Sequence, residues 1–97
     1  MEQAKTIQHQ EADNKGVFFI QQDGKRLAEM SYSRTNASMV IIDHTDVDAS
    51  LSGQGVGSKL LAALIDWARK SGTKIIPLCP FAKSRFDKDP TIRDVLI

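Results

Sequence analysis

The stretch "LSGQGVGSKLLAALIDWARK", Leu51 to Lys70, sets three glycines two residues apart, Gly53, Gly55 and Gly57, directly before a helical pattern. Val56, Leu60, Leu61, Leu64, Trp67 and Ala68 recur at steps of three and four, which predicts an amphipathic helix with these residues inward. Gly72 stands where such helices commonly end. A glycine weakens a helix by about 1 kcal/mol relative to alanine, so a cluster at its start needs a cause. One cause is an anion. The first helical turn presents unpaired N–H groups with partial positive charge, and glycines let a phosphate approach them closely. The other cause is conformational: the glycines permit a sharp strand-to-helix turn and close packing. Spacing alone leaves both open.

Upstream the chain reads as strands. "GVFFIQQDGKRLAEMSYS" places β-prone residues on either side of Asp23-Gly24, a dipeptide suited to a tight hairpin turn. "RTNAS" is the next turn, and "MVIIDHTDV" (Met39 to Val47) is the strongest strand. A weaker first strand lies near Thr6 to Gln10, before the polar turn "DNKG". Downstream of the helix, "KIIPL" is a short apolar strand stopped by Pro80, and "FAKSRFDKD" can form a last helix. A strand–helix–strand unit of this length makes a right-handed crossover with parallel strands. The expected class is α+β: an antiparallel meander of three to four strands, then helix, parallel strand and C-terminal helix.

The bulk numbers exclude several classes. The 97 residues suit one domain, 1–97, and 13 basic against 12 acidic side chains leave a net charge of +1. That balance gives no nucleic-acid footprint. No apolar run is long enough to span a bilayer. The lone Cys79 cannot form an internal disulfide, and the first twenty residues lack a basic start followed by an apolar stretch. A cytoplasmic protein is expected, without nucleic-acid or membrane partners. An exposed sheet edge allows a monomer or a weak homodimer.

The identity of the phosphate narrows by elimination. An ATP-binding loop needs Gly-Lys followed by Ser or Thr, whereas the order here is Gly57-Ser58-Lys59. The dinucleotide fingerprint G-x-G-x-x-G fails because the third glycine comes one residue early, and the glycines follow a meander. The loop instead resembles the pyrophosphate loop Q/R-x-x-G-x-G/A of the GNAT superfamily of acyltransferases, matching at Gly55 and Gly57, with Ser52 at the Gln/Arg position. "HTDV", "GQGVGSKLL" and "KIIPLCPFAKSRF" together resemble small single-domain GNAT-like acetyltransferases, from the hairpin to the last helix.

That resemblance implies acetyl-CoA as co-substrate and no metal. Its pyrophosphate would lie at Gln54, Gly55, Val56, Gly57 and Ser58, with Gly53 opening the same cradle. Its pantetheine arm would lie between the strand carrying Thr45 and Val47 and the strand "KIIPL", with Pro80 and Phe81 beside it. A backbone N–H near the end of the "HTDV" strand, expected at Val47, would stabilise the oxyanion. Many relatives use a tyrosine in the last helix as proton donor; Phe86 stands at that position. Cys79, before that helix, is the expected substitute, as proton donor or as a nucleophile holding the acetyl group, or else a buried structural residue. His44 is the candidate base for an ammonium acceptor, or a histidine bonded within the sheet. Strand alternation puts it opposite Asp43 and Thr45. Lys83, Arg85 and Lys88 are candidates to neutralise the 3′-phosphate of CoA, Lys83 being the best placed, or else they form the solvated face of a short helix. His9 reads as surface, and Leu64 and Trp67 as helix core.

The stretch from Gly16 to Val47 leaves no room for the helices that build the acceptor site in larger relatives. The expected function is N-acetyl transfer to an unidentified amine, protein or peptide included, directly or through an acetyl-cysteine. The alternatives are a non-catalytic CoA-binding module and an interaction domain whose glycine turn binds nothing.

Overall fold

A computed structural model describes residues 6–97; the first five residues of the expected 1–97 domain lie outside the described part. Four antiparallel strands come first: β1 (Ile7–Ala12), β2 (Lys15–Gln22), β3 (Lys25–Asn36) and β4 (Met39–Val47). Two-residue turns join the first three. Asp13 and Asn14 have φ of 52° and 67°, and Asp23 and Gly24 have 53° and 77°. Positive φ at both central residues matches the right-handed twist of the flanking strands.

A 3-10 turn (Ala49–Leu51) leads to α1 (Val56–Ser71), which Gly72 ends in the left-handed conformation at φ 71°. The chain then enters β5 (Lys74–Pro77), α2 (Pro80–Lys88) and a closing 3-10 segment (Pro90–Val95). The sheet order is β1-β2-β3-β4-β5, with β5 parallel to β4. The expected class and element order hold. β1 runs two residues beyond its expected end, and the closing segment, with its Ile75–Leu96 bridge, had no signal in the sequence pattern.

One core joins the helices to one face of the sheet. Leu60, Leu64 and Ala68 of α1 are fully buried, as are Met30, Val40, Ile42 and Ile75, and α2 adds Ala82 and Phe86. Truncating Leu64 to alanine should cost about 2–5 kcal/mol, a large fraction of a small domain's stability. No helix of the described residues is long and apolar enough to cross a membrane.

His9 is exposed, as its surface reading expects, yet its ring is engaged. Its ring stacks on Phe18 at 4.0 Å, meets Trp67 edge-on at 5.0 Å and hydrogen-bonds the Tyr32 hydroxyl at 2.7 Å. The hairpin register brings it there, since His9 faces Phe18 directly. Trp67 caps this aromatic cluster from α1 and is only half-buried.

Candidate active site

A bulge in β4 creates the site. Against β3, β4 pairs Ile41 with Ser33 and Ile42 with Tyr32, then His44 with Ser31, leaving Asp43 as an extra residue. Pairing with β5 stops at Ile42 and Pro77. There the Ile42 carbonyl accepts the N–H groups of Leu78 at 3.2 Å and Cys79 at 3.1 Å. Beyond the bulge β4 stays with β3 as far as Val47, while the chain after β5 turns into α2. The two parallel strands part.

The backbone of β4 aims donors into that gap. The Asp48 N–H donates to the Leu27 carbonyl of β3 at 2.7 Å. Alternation along the strand therefore turns the N–H groups of Val47 and Thr45 the other way, toward the gap. Residues directly opposed in an antiparallel pair share a face. Thr45 opposes Met30 and Val47 opposes Ala28, both buried in the core, so Thr45 and Val47 face the helices. His44 opposes Ser31 and lies on the other face.

The two expected catalytic side chains are thus separated by the sheet. Cys79 is on the helix side, buried, with its Sγ donating to Thr45 Oγ1 at 3.2 Å. No hydrogen bond joins it to His44 among the described residues. His44 is exposed at the opposite face, and Asp43 beside it accepts a bond from the Ser33 hydroxyl.

Gly53 and Gly55 sit at φ 80° and 69°, the left-handed region that side-chain-bearing residues avoid. Gly57 is helical and has a different reason. A β-carbon there would stand 2.9 Å from the tip of the Phe81 ring. Conformation explains two glycines and packing the third, while the donor array they expose is the same. The first helical bond runs from the Lys59 N–H to the Gly55 carbonyl, and no side chain caps the helix. The N–H groups of Val56, Gly57 and Ser58 have no acceptor within the helix.

These pieces line one cavity of about 310 Å³, bounded by Thr45, Val47, Leu51, Ser52, Gly53, Gly55, Val56, Gly57, Ser58 and Phe81. Of the residues expected to hold the cofactor, Gln54, Pro80 and Lys83 are not in its wall. The Gln54 side chain folds back to the Ser50 carbonyl at 3.3 Å, and Pro80 forms the first turn of α2. Lys83 pairs with Asp87 at 3.4 Å and lines a separate groove beside β5. A second cavity, about 370 Å³, shares Ser58 with the first and runs between α1 and α2. Its cations are Arg85 and Lys88, two and five residues beyond Lys83.

Three features escaped the sequence reading: the Thr45–Cys79 contact, the groove bearing Arg85 and Lys88, and the bulge itself. Only the bulge left a trace. After the alternation of Val40 and Ile42, the adjacent Asp43 and His44 are both polar, and both are exposed.

The family model for GCN5-related N-acetyltransferases matches residues 17–95. A GCN5-like protein from Staphylococcus aureus, solved by NMR, is 38% identical with a TM-score of 0.71, over 93% of this chain and 87% of its own. Two more distant structures share the fold. The ribosomal-protein-S18-alanine N-acetyltransferase of Escherichia coli is 22% identical, with a TM-score of 0.64, over 80% of this chain. A GNAT acetyltransferase of Elizabethkingia anophelis, solved with acetyl-CoA bound, is 13% identical, with a TM-score of 0.59, over 77% of this chain. This chain spans 53% and 52% of those two proteins. No curated protein matches it.

Proposed function

The chain belongs to the GCN5-related N-acetyltransferase family, and on that premise we propose that it transfers the acetyl group of acetyl-CoA to an amine. The observation carrying this reading is the single cavity that joins the parted end of β4 to the glycine-flanked start of α1. Its parts suit the co-substrate. The free N–H groups of Val56, Gly57 and Ser58 are donors for a pyrophosphate. Val47, Leu51 and Phe81 give the apolar wall a pantetheine arm needs. Arg85 and Lys88, in the groove reached through Ser58, replace Lys83 as the partners for the 3′-phosphate.

Acetyl-CoA supplies an activated acyl group and a thiolate leaving group; the chain supplies the rest. The Val47 N–H, aimed into the gap, polarises the carbonyl. His44, on the face away from the helices, takes the proton of an arriving ammonium, because only the neutral amine attacks. The amine enters across that face. The two-residue turn between β1 and β2 sends no helix over it among the described residues. An open approach suits an acceptor on a peptide or protein chain. Direct transfer is favoured over an acetyl-cysteine because Cys79 lies behind Thr45 and outside the cavity wall.

Release of free thiol from acetyl-CoA, with a short unstructured peptide bearing an α-amine and a lysine as acceptor probe, tests this reading. His44→Ala should slow it and shift its pH profile. A non-catalytic CoA-binding module is the second reading, favoured by the buried Phe86 where relatives place a proton-donating tyrosine. It predicts tight acetyl-CoA binding with no amine-dependent thiol release.

A further inference from the structure

The cavity wall contains Thr45 but not Cys79, although the two side chains are joined at 3.2 Å. Cys79 is also fixed from behind. Its N–H holds the Ile42 carbonyl at 3.1 Å, its carbonyl accepts the Lys83 N–H at 2.9 Å, and it is the N-cap of α2. The thiol is the donor in the bond to Thr45, so the Thr45 hydroxyl hydrogen remains free to point into the cavity.

Resting on the acetyl-transfer reading, we infer that Thr45 is the residue that hands a proton to the departing sulfur of CoA, and that Cys79 resupplies Thr45 from behind. The bond between acyl carbon and sulfur breaks with its electron pair on sulfur. Thr45 gives that sulfur its hydroxyl proton and takes the Cys79 thiol proton in the same motion. Cys79 is left as a thiolate at the N-terminus of α2, where helix N–H groups stabilise negative charge. The proton lost by the acceptor nitrogen passes through His44 to solvent, and solvent reprotonates Cys79. Atoms and charge balance over the cycle. Thr45 is the catalytic side chain in this scheme and Cys79 a positioning and supplying residue behind it.

Three readouts test the pair. The first needs no acceptor. Cys79 is the only cysteine, so its S–H stretching band in the Raman spectrum reports the hydrogen bond of the buried thiol directly. Thr45→Val removes the hydroxyl that accepts the thiol hydrogen, so the band should move to the higher frequency of an unbonded thiol. Thr45→Ser should restore the wild-type band. Second, thiol release with the peptide probe should fall about 10- to 100-fold in Thr45→Val and in Cys79→Ala, with acetyl-CoA affinity unchanged. The double variant should be no slower than the worse single one, because the two residues act in series. Third, rapid quench followed by mass spectrometry should find no acetyl group on Cys79.

An unchanged S–H band in Thr45→Val overturns the coupling. An acetylated Cys79, additive losses in the double variant, or an inactive Cys79→Ala beside an active Thr45→Val would show that Cys79 acts without Thr45. Failure of the wild-type chain to bind acetyl-CoA in the calorimeter would instead defeat the acetyl-transfer reading, and the relay with it.

Discussion

The Phe81 ring of α2 rests against the Cα of Gly57 in α1, so close that a β-carbon there would stand 2.9 Å from the ring tip. Both residues line the same cavity, so this contact fixes its width as well as its position. Gly57→Ala should therefore separate binding from stability. Alanine restores about 1 kcal/mol of helix propensity, which offsets the strain of moving one ring tip. The urea midpoint should change little, while acetyl-CoA affinity in calorimetry falls about tenfold as Phe81 swings into the cavity. Gly55→Ala should behave differently. At φ 69° it faces open space, and the left-handed backbone costs about 1–2 kcal/mol of stability.

Gly16 makes a tighter contact elsewhere. Its register partner is Tyr32, whose ring an added β-carbon would overlap. Gly16→Ala should displace that ring from the aromatic cluster and destabilise the fold by about 1–3 kcal/mol in denaturant titration. Tyr32→Phe keeps the ring and loses the hydroxyl that bonds His9, which should cost about 1 kcal/mol.

The same cluster predicts an acid response. Partial desolvation of its ring against Phe18, Tyr32 and Trp67 lowers the His9 pKa below its ordinary 6.5, with Glu11 opposing the effect and Arg34 adding to it. The folded state thus favours neutral His9 more than the unfolded chain does. Its contribution is complete above pH 6.5 and is lost as pH falls through the lowered folded value. Glu11 acts in a separate window. Its carboxylate, bonded to the Arg34 guanidinium, titrates below the ordinary 4.5, and its contribution disappears only at more acid pH. Stability measured against pH should fall in two stages, and His9→Gln should abolish the first while leaving the second.

The cations between α1 and α2 give a ligand-based prediction. Arg85→Ala with Lys88→Ala should weaken acetyl-CoA several-fold and dephospho-CoA hardly at all. Lys83→Ala, paired with Asp87 beside β5, should leave both affinities unchanged. Calorimetry with the two ligands distinguishes these outcomes.

Most of the scaffold was readable because its signals are local. The spacing of Leu60, Leu64 and Ala68 fixes the inward face of α1, and Asp23-Gly24 and Gly72 mark a turn and a helix end through their φ angles. The donor array also followed from local chemistry, since any uncapped helix start leaves N–H groups free. What was illegible depends on pairing across distance. One extra residue at Asp43 sets which side of the sheet receives Thr45 and which receives His44. The choice between Lys83 and Arg85 depends on how α2 is rotated against α1. The His9 cluster depends on hairpin register, and nothing within "IQHQEA" announces it.

The most direct test of the account is a titration of the isotope-labelled protein with acetyl-CoA, followed through its backbone amide signals. Acetyl-transfer through this cavity predicts saturable shifts at Val47, Val56, Gly57 and Ser58, with Arg85 and Lys88 following and the β1–β2 hairpin unmoved. No saturation at millimolar ligand, or shifts confined to residues outside the cavity and its connecting groove, would contradict it.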